Sequence, residues 1–216
     1  MTTHTIQRAQ GPGRPKDMEK RAAILDAAKH LFTRQSFRGT SMDAVASAAG
    51  VSKLTVYSHF GDKANLFREV VREWMQEFLP ETTYQLDPAL DIRGNLLRVA
   101  LTHARLDCSS EAVGTFRAII SDCPKGVPRY GRLIWEEGAM RTHALLESLL
   151  REAIEAGWLQ IDDVPRAAVQ FMVLIQGDMK MRRLFGCVEC DDSYARELEN
   201  TAEAGVDMFL RAYEPR

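Results

Sequence analysis

The stretch Thr40–Phe60, TSMDAVASAAGVSKLTVYSHF, decides how this chain is interpreted, because it holds two short helical patterns separated by Gly50. Apolar residues between Met42 and Ala49 recur at the spacing of one buried helical face, and Thr40 opens this helix as the start of a capping box. Gly50 then ends the helix, where the chain needs a residue that tolerates positive φ. The stretch therefore begins with a short helix and a tight turn.

The second pattern is a short helix with a very small apolar face. Ser52 is a favourable N-cap, and Val56 and Phe60 lie four residues apart, so both point inward. A face this small can only dock on neighbouring helices. The helix then presents a basic, hydroxyl-bearing and aromatic strip to the outside, which is typical of a DNA-binding helix-turn-helix. The strip consists of Lys53, Leu54, Tyr57 and Ser58.

The segment from about Met18 to Phe67 resembles the N-terminal domain of the TetR family of one-component transcriptional regulators. The resemblance rests on an ordered set of motifs along the whole segment. The matching residues are Ile24, Ala27, Ala28, Leu31, Phe32 and Phe37, then Thr40-Ser41-Met42, Ala46, Ala49-Gly50-Val51-Ser52, Thr55-Val56-Tyr57-Ser58-His59-Phe60, Asp62-Lys63 and Leu66-Phe67.

Two positions depart from the pattern of this family. Ser36 stands where the family commonly has a glycine that ends the first helix, so either Ser36 takes a left-handed conformation at some cost or the helix ends differently. Leu54 stands where a small residue or proline is common. Operator preference therefore depends partly on whether Leu54 meets a thymine methyl group or only shields the helix.

Helical geometry and the resemblance together give a set of expected DNA contacts. Side chains on the outward strip face base edges, and other polar groups near the helix ends face phosphates. The base-facing residues are Lys53, Leu54, Tyr57 and Ser58; the phosphate-facing residues are Thr55, His59 and Lys63, with Thr40, Ser41 and Ser52 at helix N-termini.

The first sixteen residues are polar and contain Gly11-Pro12-Gly13-Arg14-Pro15-Lys16, which opposes regular structure. We expect a flexible basic arm over residues 1–17, in which Arg14 either enters a narrow minor groove or belongs to a plain charged tail. This segment also lacks the apolar core of a signal peptide, and no stretch is apolar enough for a membrane span. A cytoplasmic location is therefore expected.

Charge is distributed unevenly along the chain. The formal net charge is −2, and 45% of residues are hydrophobic and 27% charged, which is typical of globular proteins. Residues 1–60 carry nine Lys or Arg against four Asp or Glu, whereas the remainder is acidic. The excess of positive charge coincides with the helix-turn-helix, where release of counterions from DNA phosphates requires it.

The rest of the chain contains only helical patterns separated by caps and prolines, which predicts an all-α fold of about nine helices. A first helix is expected from Met18 to Gln35, and a fourth helix starting after Asp62 bridges two bodies before Pro80. Later helices are expected over 88–106, from Ser109 or Ser110 to about 120, and over 128–156, 165–184 and 192–213. The domains are then a helix-turn-helix domain over 18–64 and a ligand-binding and dimerisation domain over 65–216.

The segment from about Phe116 to Gly186 resembles, more loosely, the C-terminal domain of AefR-like members of the family, notably in Ala156-Gly157-Trp158-Leu159, Ala167-Ala168 and Gln176-Gly177. The resemblance implies a small-molecule effector and a homodimer formed by the last two long helices; the alternative is that their apolar stripes only close the core of one subunit. The expected ligand-site residues are Trp74, Phe78, His103, Phe116, Trp135, Met172 and Gln176, each of which is also compatible with ordinary core packing. The expected dimer residues are Phe171, Ile175, Tyr194, Leu198, Ala202, Gly205 and Phe209.

The cysteines offer one spacing of interest. Of the four, only Cys187 and Cys190 form a C-x-x-C pair, and no second ligand pair accompanies it. These cysteines are either structural or a redox pair, and we expect no metal and no cofactor.

The sequence predicts a homodimeric repressor that binds a palindromic DNA operator and is released by a small apolar or amphipathic effector. The alternative is a nucleoid or division factor whose C-terminal helices bind a protein partner or only dimerise. No phosphate-binding glycine loop, paired metal spacing or nucleophile-base set supports an enzyme.

Overall fold

The computed structural model describes residues 14–122 and 128–215, and every regular element within those ranges is helical. The all-α prediction is confirmed. A short 3-10 helix (Glu81–Tyr84) follows α4, and a π-helical segment (Trp135–Met140) joins α7 to α8. The α-helices are α1 (Arg14–Gly39), α2 (Met42–Ala48), α3 (Lys53–Phe60), α4 (Lys63–Phe78), α5 (Ile92–Cys108), α6 (Ser110–Asp122), α7 (Pro128–Ile134), α8 (Arg141–Glu155), α9 (Val164–Gln176), α10 (Met179–Leu184) and α11 (Asp192–Tyr213).

Most helices begin at a side chain that accepts a hydrogen bond from the first turn. Ser52 accepts from the Thr55 amide and Asp62 from the Asn65 amide, as the sequence predicts. The cap of α2 is Ser41, which accepts from the Ala44 amide at 3.0 Å, rather than the predicted Thr40. The remaining side-chain caps of this kind are Asp91, Asp163 and Asp191.

Three predicted boundaries need correction. The first helix begins at Arg14, so residues 14–17 belong to α1 and not to the expected arm. The helix expected over 88–106 begins at Ile92, after the cap Asp91. The helix expected over 165–184 is interrupted at Gly177, whose φ of 52° ends α9 before α10 begins. An apolar run continues across this break, so the hydrophobic pattern alone does not reveal it.

Ser36 interrupts α1 near its end. It has φ 60° and ψ 176°, a combination that is almost exclusive to glycine and costs about 1–3 kcal/mol for other residues. Of the two predicted alternatives, the structure therefore has positive φ, although with extended rather than left-handed helical ψ. The Thr40 hydroxyl donates to the Ser36 carbonyl at 2.9 Å and helps to hold this turn.

Two apolar cores divide the chain. The first joins α1 to α4 and contains Val45, Val56, Phe60 and Leu66 at its centre. The second and larger core lies among α5, α8, α9 and α11 and is centred on Leu149. Helices α9 and α11 cross closely, since a methyl group added at Gly205 would lie 2.7 Å from the carbonyl carbon and oxygen of Leu174.

Helix α4 lies between the two cores. Its buried side chains Leu66, Val70 and Trp74 belong to the first core, and Ile134 at the end of α7 packs on the same core. The π-helical segment lies beside the outer face of α4, where the Glu137 carboxylate meets two arginines of that helix. Movements of the C-terminal helices are therefore passed directly to α4.

Candidate nucleic-acid interface

The outward face of α3, formed by Lys53, Leu54, Tyr57 and Ser58 and here called the reading surface, is exposed as predicted. Val56 and Phe60 are buried on the opposite side and fix the rotation of the helix. Leu54 is 78% exposed and Tyr57 is 41% exposed. Large exposed apolar and aromatic side chains on a short helix are characteristic of a surface that binds something else.

The lysine of the reading surface is held by a neighbouring helix. Lys53 Nζ lies 2.7 Å from Asp43 Oδ1 of α2 and 6.0 Å from the centre of the Tyr57 ring. The hydrogen bond to Asp43 raises the pKa of Lys53, so the side chain stays positively charged. Because both partners are exposed, a DNA phosphate or base can displace Asp43 at little cost.

The hydroxyl groups near α3 have local partners. Ser52 Oγ lies 2.8 Å from Thr55 Oγ1, and the Ser58 hydroxyl donates to the Thr55 carbonyl at 2.8 Å. Ser41, like Ser52, uses its oxygen to cap a helix but remains exposed. These hydroxyls retain lone pairs or can rotate, so they stay available at the surface.

Three predicted phosphate contacts have other places in the structure. The Thr40 side chain is 1% exposed and bonded to Ser36, so its assignment as a phosphate-binding hydroxyl is corrected. His59 Nε2 lies 3.1 Å from Asp17 Oδ1 and is largely covered. Lys63 Nζ donates to the carbonyls of Phe37 at 2.8 Å and Thr40 at 2.7 Å, and so ties the end of α1 to α4.

Arg14 begins α1, and its side chain lies outside the described part of the structure, as do residues 1–13. The minor-groove role of Arg14 therefore stays a prediction.

An open polar cleft of about 500 Å³ lies beside His59, between α1, α3 and α4. Arg21 crosses it to reach Glu69 at 2.5 Å, and Arg68 and Arg72 line its α4 side. The sequence did not point to this cleft, because its residues come from three helices and form no motif.

In the C-terminal part, four polar side chains form a buried polar cluster: Tyr84, His103, Asp107 and Lys180. Tyr84 Oη lies 2.7 Å from His103 Nε2, and Asp107 Oδ1 lies 3.3 Å from Lys180 Nζ. Burial and the nearby positive charge of Lys180 lower the pKa of His103 to about 3, so its imidazole is neutral. Burial raises the pKa of Asp107 and of Tyr84.

Part of this cluster lacks internal partners. Asp107 is 3% exposed, and its Oδ2 atom has no hydrogen-bond partner among the described residues. Lys180 Nζ lies 4.2 Å from the centre of the Phe116 ring. An orphaned acceptor beside a cation and an aromatic face is suited to a hydroxylated organic molecule.

The predicted ligand-site residues separate into groups. His103 and Phe116 meet through Lys180, as expected of one site. Trp135 is 56% exposed and lies edge-on to His143, which in turn influences His103. The structure assigns the others to packing: Trp74 and Phe78 belong to the first core, Met172 belongs to the second, and Gln176 is half-buried at the end of α9.

The predicted dimer residues are corrected by the structure. Their side chains pack inside a single subunit, because α9 and α11 turn these apolar stripes toward each other and toward α5. The outward faces of α9 and α11 carry different apolar residues, Val169, Val173 and Met208. The residues that close the core are Phe171, Ile175, Tyr194, Leu198, Ala202, Gly205 and Phe209.

Two further features escaped the sequence. Cys190 pairs with Cys108 in a disulfide, and not with Cys187, which is exposed and free. Glu137 joins Arg68 and Arg72 across 65 or more residues of chain. Neither pairing leaves a local signal.

Within residues 14–122 and 128–215, no group of three or more His, Cys, Asp or Glu side chains is placed to hold a metal ion. No helix in the described ranges has the length and apolarity needed to cross a membrane.

Two family models match the chain. The model of bacterial regulatory proteins of the tetR family matches residues 24–70, and the model of the C-terminal domain of AefR-like transcriptional repressors matches residues 94–215. Together they cover both cores and leave α4 as the junction.

Individual proteins give the same result. The HTH-type transcriptional regulator YdeS of Bacillus subtilis is 29% identical over 202 residues, 90% of this chain and 93% of that protein. In three other curated HTH-type regulators, the matched segment spans only 42%, 24% and 48% of the relative's own length.

Solved structures match over almost the whole chain. A TetR-family regulator from Mesorhizobium loti superposes with a TM-score of 0.78 at 29% identity, covering 94% of this chain and all of that one. The flavonoid-responsive regulator FrrA superposes with a TM-score of 0.75 at 32% identity, covering 92% of this chain and 99% of that one. This chain belongs to the TetR family of transcriptional regulators.

Proposed function

We propose that the protein is a homodimeric repressor that binds a palindromic operator through α3 and releases it when a small organic effector binds the C-terminal helices. The observation that carries the proposal is the reading surface, whose exposed Leu54 and Tyr57 project from a helix anchored by Val56 and Phe60. The functional division follows the two cores, with DNA binding in residues 18–64 and effector binding and dimerisation in residues 65–216. Because its operator is bacterial DNA, the protein acts in the cytoplasm.

The reading surface supplies the contacts that a major groove requires. Tyr57 and Leu54 offer apolar surface to thymine methyl groups, and Lys53 offers a cation to guanine or phosphate. Ser41, Ser52, Thr55 and Ser58 contribute hydroxyls near the backbone. Lys63 and His59 act mainly by holding α3 and α4 in place, given their bonds within the protein.

Dimerisation sets the distance between two reading surfaces. The outward residues Val169, Val173 and Met208 form an apolar surface on α9 and α11, the two helices that the corrected interface shares with the original prediction. A second copy of this chain covers it in our proposal, because two-fold symmetry places two α3 helices about one DNA turn, or a multiple, apart.

The effector site is the buried polar cluster. The orphaned Asp107 oxygen accepts a hydrogen bond from an effector hydroxyl, and the Phe116 ring and Lys180 supply an aromatic face and a positive charge. FrrA, which is similar over nearly the full chain, is a flavonoid-responsive regulator. Together these observations favour a planar, hydroxylated aromatic effector, which fits the predicted amphipathic character.

The route from this cluster to α4 is short. Tyr84 is hydrogen-bonded to His103 and also to Thr142, which lies at the start of α8 directly after the π-helical segment. That segment carries Glu137, which holds Arg68 and Arg72 of α4. An effector that separates Tyr84 from His103 therefore favours a second position of α4, and linkage requires that this position bind operator less well.

The test combines two measurements on the same compounds. Thermal unfolding identifies which hydroxylated flavonoids stabilise the protein, and fluorescence anisotropy measures operator affinity with each of them. We expect at least one stabilising compound to weaken operator binding and to lose both effects in the variant Asp107→Asn. The effector part of the proposal is refuted if stabilising compounds leave operator affinity unchanged.

A further inference from the structure

The disulfide between Cys108 and Cys190 joins two separate parts of the C-terminal helices. Cys108 is the last residue of α5, and Cys190 precedes α11 by two positions, with 5.6 Å between their Cα atoms and 82 residues between them in sequence. Both are partly buried against a small apolar cluster. That cluster contains Ala104, Met179, Tyr194 and Leu198.

We propose that Cys108 and Cys190 form a reversible thiol–disulfide modification site, oxidised by peroxides and reduced by dithiols. The inference rests on the proposed function for the compartment alone: a protein that works on bacterial DNA works among thiol reductants. Disulfides found in that environment are usually transient and serve sensing or catalysis.

The surrounding contacts allow the bond to break without unfolding the loop. Arg183 donates to the Val188 carbonyl at 3.2 Å and to Ser110 Oγ at 3.4 Å, so it ties the loop before Cys190 to the start of α6. Asp191 caps α11, and the Tyr194 hydroxyl donates to the Met179 carbonyl at 2.6 Å. These bonds keep both cysteines near each other in the dithiol state, which favours re-formation of the disulfide.

Oxidation proceeds in two balanced steps. The thiolate of one cysteine attacks an oxygen of hydrogen peroxide, the O–O bond breaks, and the departing hydroxide takes a proton to become water, leaving a sulfenic acid. The second thiol attacks the sulfenic sulfur and expels another water, which completes the disulfide. In the reverse direction a small dithiol exchanges with the bond and becomes a cyclic disulfide, passing two electrons and two protons to the cysteines.

The site lies next to the buried polar cluster. Asp107 directly precedes Cys108, and its partner Lys180 directly follows Met179, which packs under the disulfide. Oxidation therefore fixes the end of α5 that carries Asp107 against the start of α11. Reduction leaves that end of the cluster free to fluctuate, so the redox state of the pair sets the mobility of the effector site.

The first experiment maps the bond in the native full-length protein. The protein is equilibrated with hydrogen peroxide or with dithiothreitol, alkylated after denaturation, and analysed by peptide mass spectrometry. We expect Cys108 and Cys190 to be protected only after oxidation. The matched control Cys187→Ser, which changes the exposed free cysteine, keeps this protection, whereas Cys108→Ser and Cys190→Ser each abolish it.

The second experiment is amide hydrogen exchange in both redox states. We expect faster exchange at the end of α5 and the start of α11 after reduction, no change in α2 and α3, and loss of the redox difference in Cys108→Ser. The proposal is overturned if the bond is reduced only at denaturant concentrations that unfold the protein, if reduction leaves the exchange of α5 unchanged, or if mapping pairs Cys190 with Cys187. Neither experiment uses DNA, so a failure to bind operator would refute the proposed function without changing these results.

Discussion

Glu137 accepts two hydrogen bonds from Arg72, at 2.8 Å from Nε and 3.2 Å from Nη2. Arg68 Nε lies 3.0 Å from the same carboxylate, whose side chain is largely covered. The hydrogen bond from Arg72 to Glu137 raises the pKa of the arginine, which confirms a strong charge pair. A carboxylate of the π-helical segment thus holds the helix that follows the reading surface.

Replacing Glu137 with Gln should uncouple effector binding from operator release. The amide keeps the shape of the side chain but removes the charge, so α4 follows the π-helical segment less closely. We expect operator affinity without effector to change little, and the effector concentration at half-release to rise by about fivefold or more, since allosteric couplings are typically of this size. Fluorescence anisotropy of operator DNA gives both numbers.

The control for this variant is Glu147→Gln, which removes an exposed ion pair with Arg151 on a single helix. It should leave the effector response as in the parent protein. A Glu137→Gln protein with the parent response would remove the proposed route through α4.

Two lysines separate DNA binding from folding. Lys63→Met removes hydrogen bonds to the carbonyls of Phe37 and Thr40, so the free energy of unfolding should fall by about 2 kcal/mol. Lys53→Met should leave stability unchanged, because Lys53 is exposed and paired only with exposed Asp43. Urea denaturation of both variants measures the difference.

The same pair gives opposite results in salt titrations of operator binding. Lys53→Met should reduce the slope of log affinity against log salt by about 1, as expected for one lost phosphate contact. Lys63→Met, measured where it remains folded, should keep the parent slope. If only Lys63→Met lowers the slope, Lys63 contacts phosphate as the sequence predicts.

A charge on the outward face of α9 should separate the two subunits. Val173 is 65% exposed, so Val173→Glu leaves the folded subunit intact but places a carboxylate against the second copy. We expect monomers in sedimentation equilibrium and loss of tight operator binding. Leu90→Glu, an exposed apolar residue before α5, is the control that should remain dimeric. A dimeric Val173→Glu protein would place the interface elsewhere.

His103 should make stability depend on pH in the acidic range. Its pKa is about 6.5 when unfolded and about 3 when folded, so the unfolded chain binds the extra proton between these values. This contribution to stability is complete above pH 6.5 and is lost as the pH falls toward 3. Asp107, whose pKa is raised, contributes with the opposite sign, and it does so in parent and variant alike.

Comparison of the parent with His103→Gln isolates this contribution. The stability advantage of the parent should be about 2 kcal/mol smaller at pH 5 than at pH 7, since each pH unit below 6.5 costs about 1.4 kcal/mol for one such group. Urea denaturation at the two pH values measures it. A difference that does not vary with pH would show that His103 is not buried in its neutral form.

Local signals explain what the sequence could predict. The rotation of α3 follows from Val56 and Phe60, which must face the core of a small domain, and the caps Ser52 and Asp62 act within one turn of their own position. The exposed strip Lys53, Leu54, Tyr57 and Ser58 is what remains. These inferences hold because each depends on residues a few positions apart.

Long-range pairings explain what the sequence missed. The spacing of Tyr194 and Leu198 predicts an apolar face on α11, but spacing does not state which helix covers it, and the cover is α5, α9 and α10 of the same subunit. In the same way, Cys108 with Cys190 and Glu137 with Arg72 are neighbours only after folding.

The central claim is that α3 reads a specific two-fold operator and that an effector releases it. The most direct measurement is selection of bound sequences from a random DNA library, followed by footprinting of the selected site with and without a stabilising hydroxylated flavonoid. We predict a palindrome with half-sites about one helical turn apart, or a multiple, altered base preference in Tyr57→Ala, and loss of the footprint with the compound. Uniform protection of unrelated DNA with no selected sequence, as for a nucleoid protein, would contradict it.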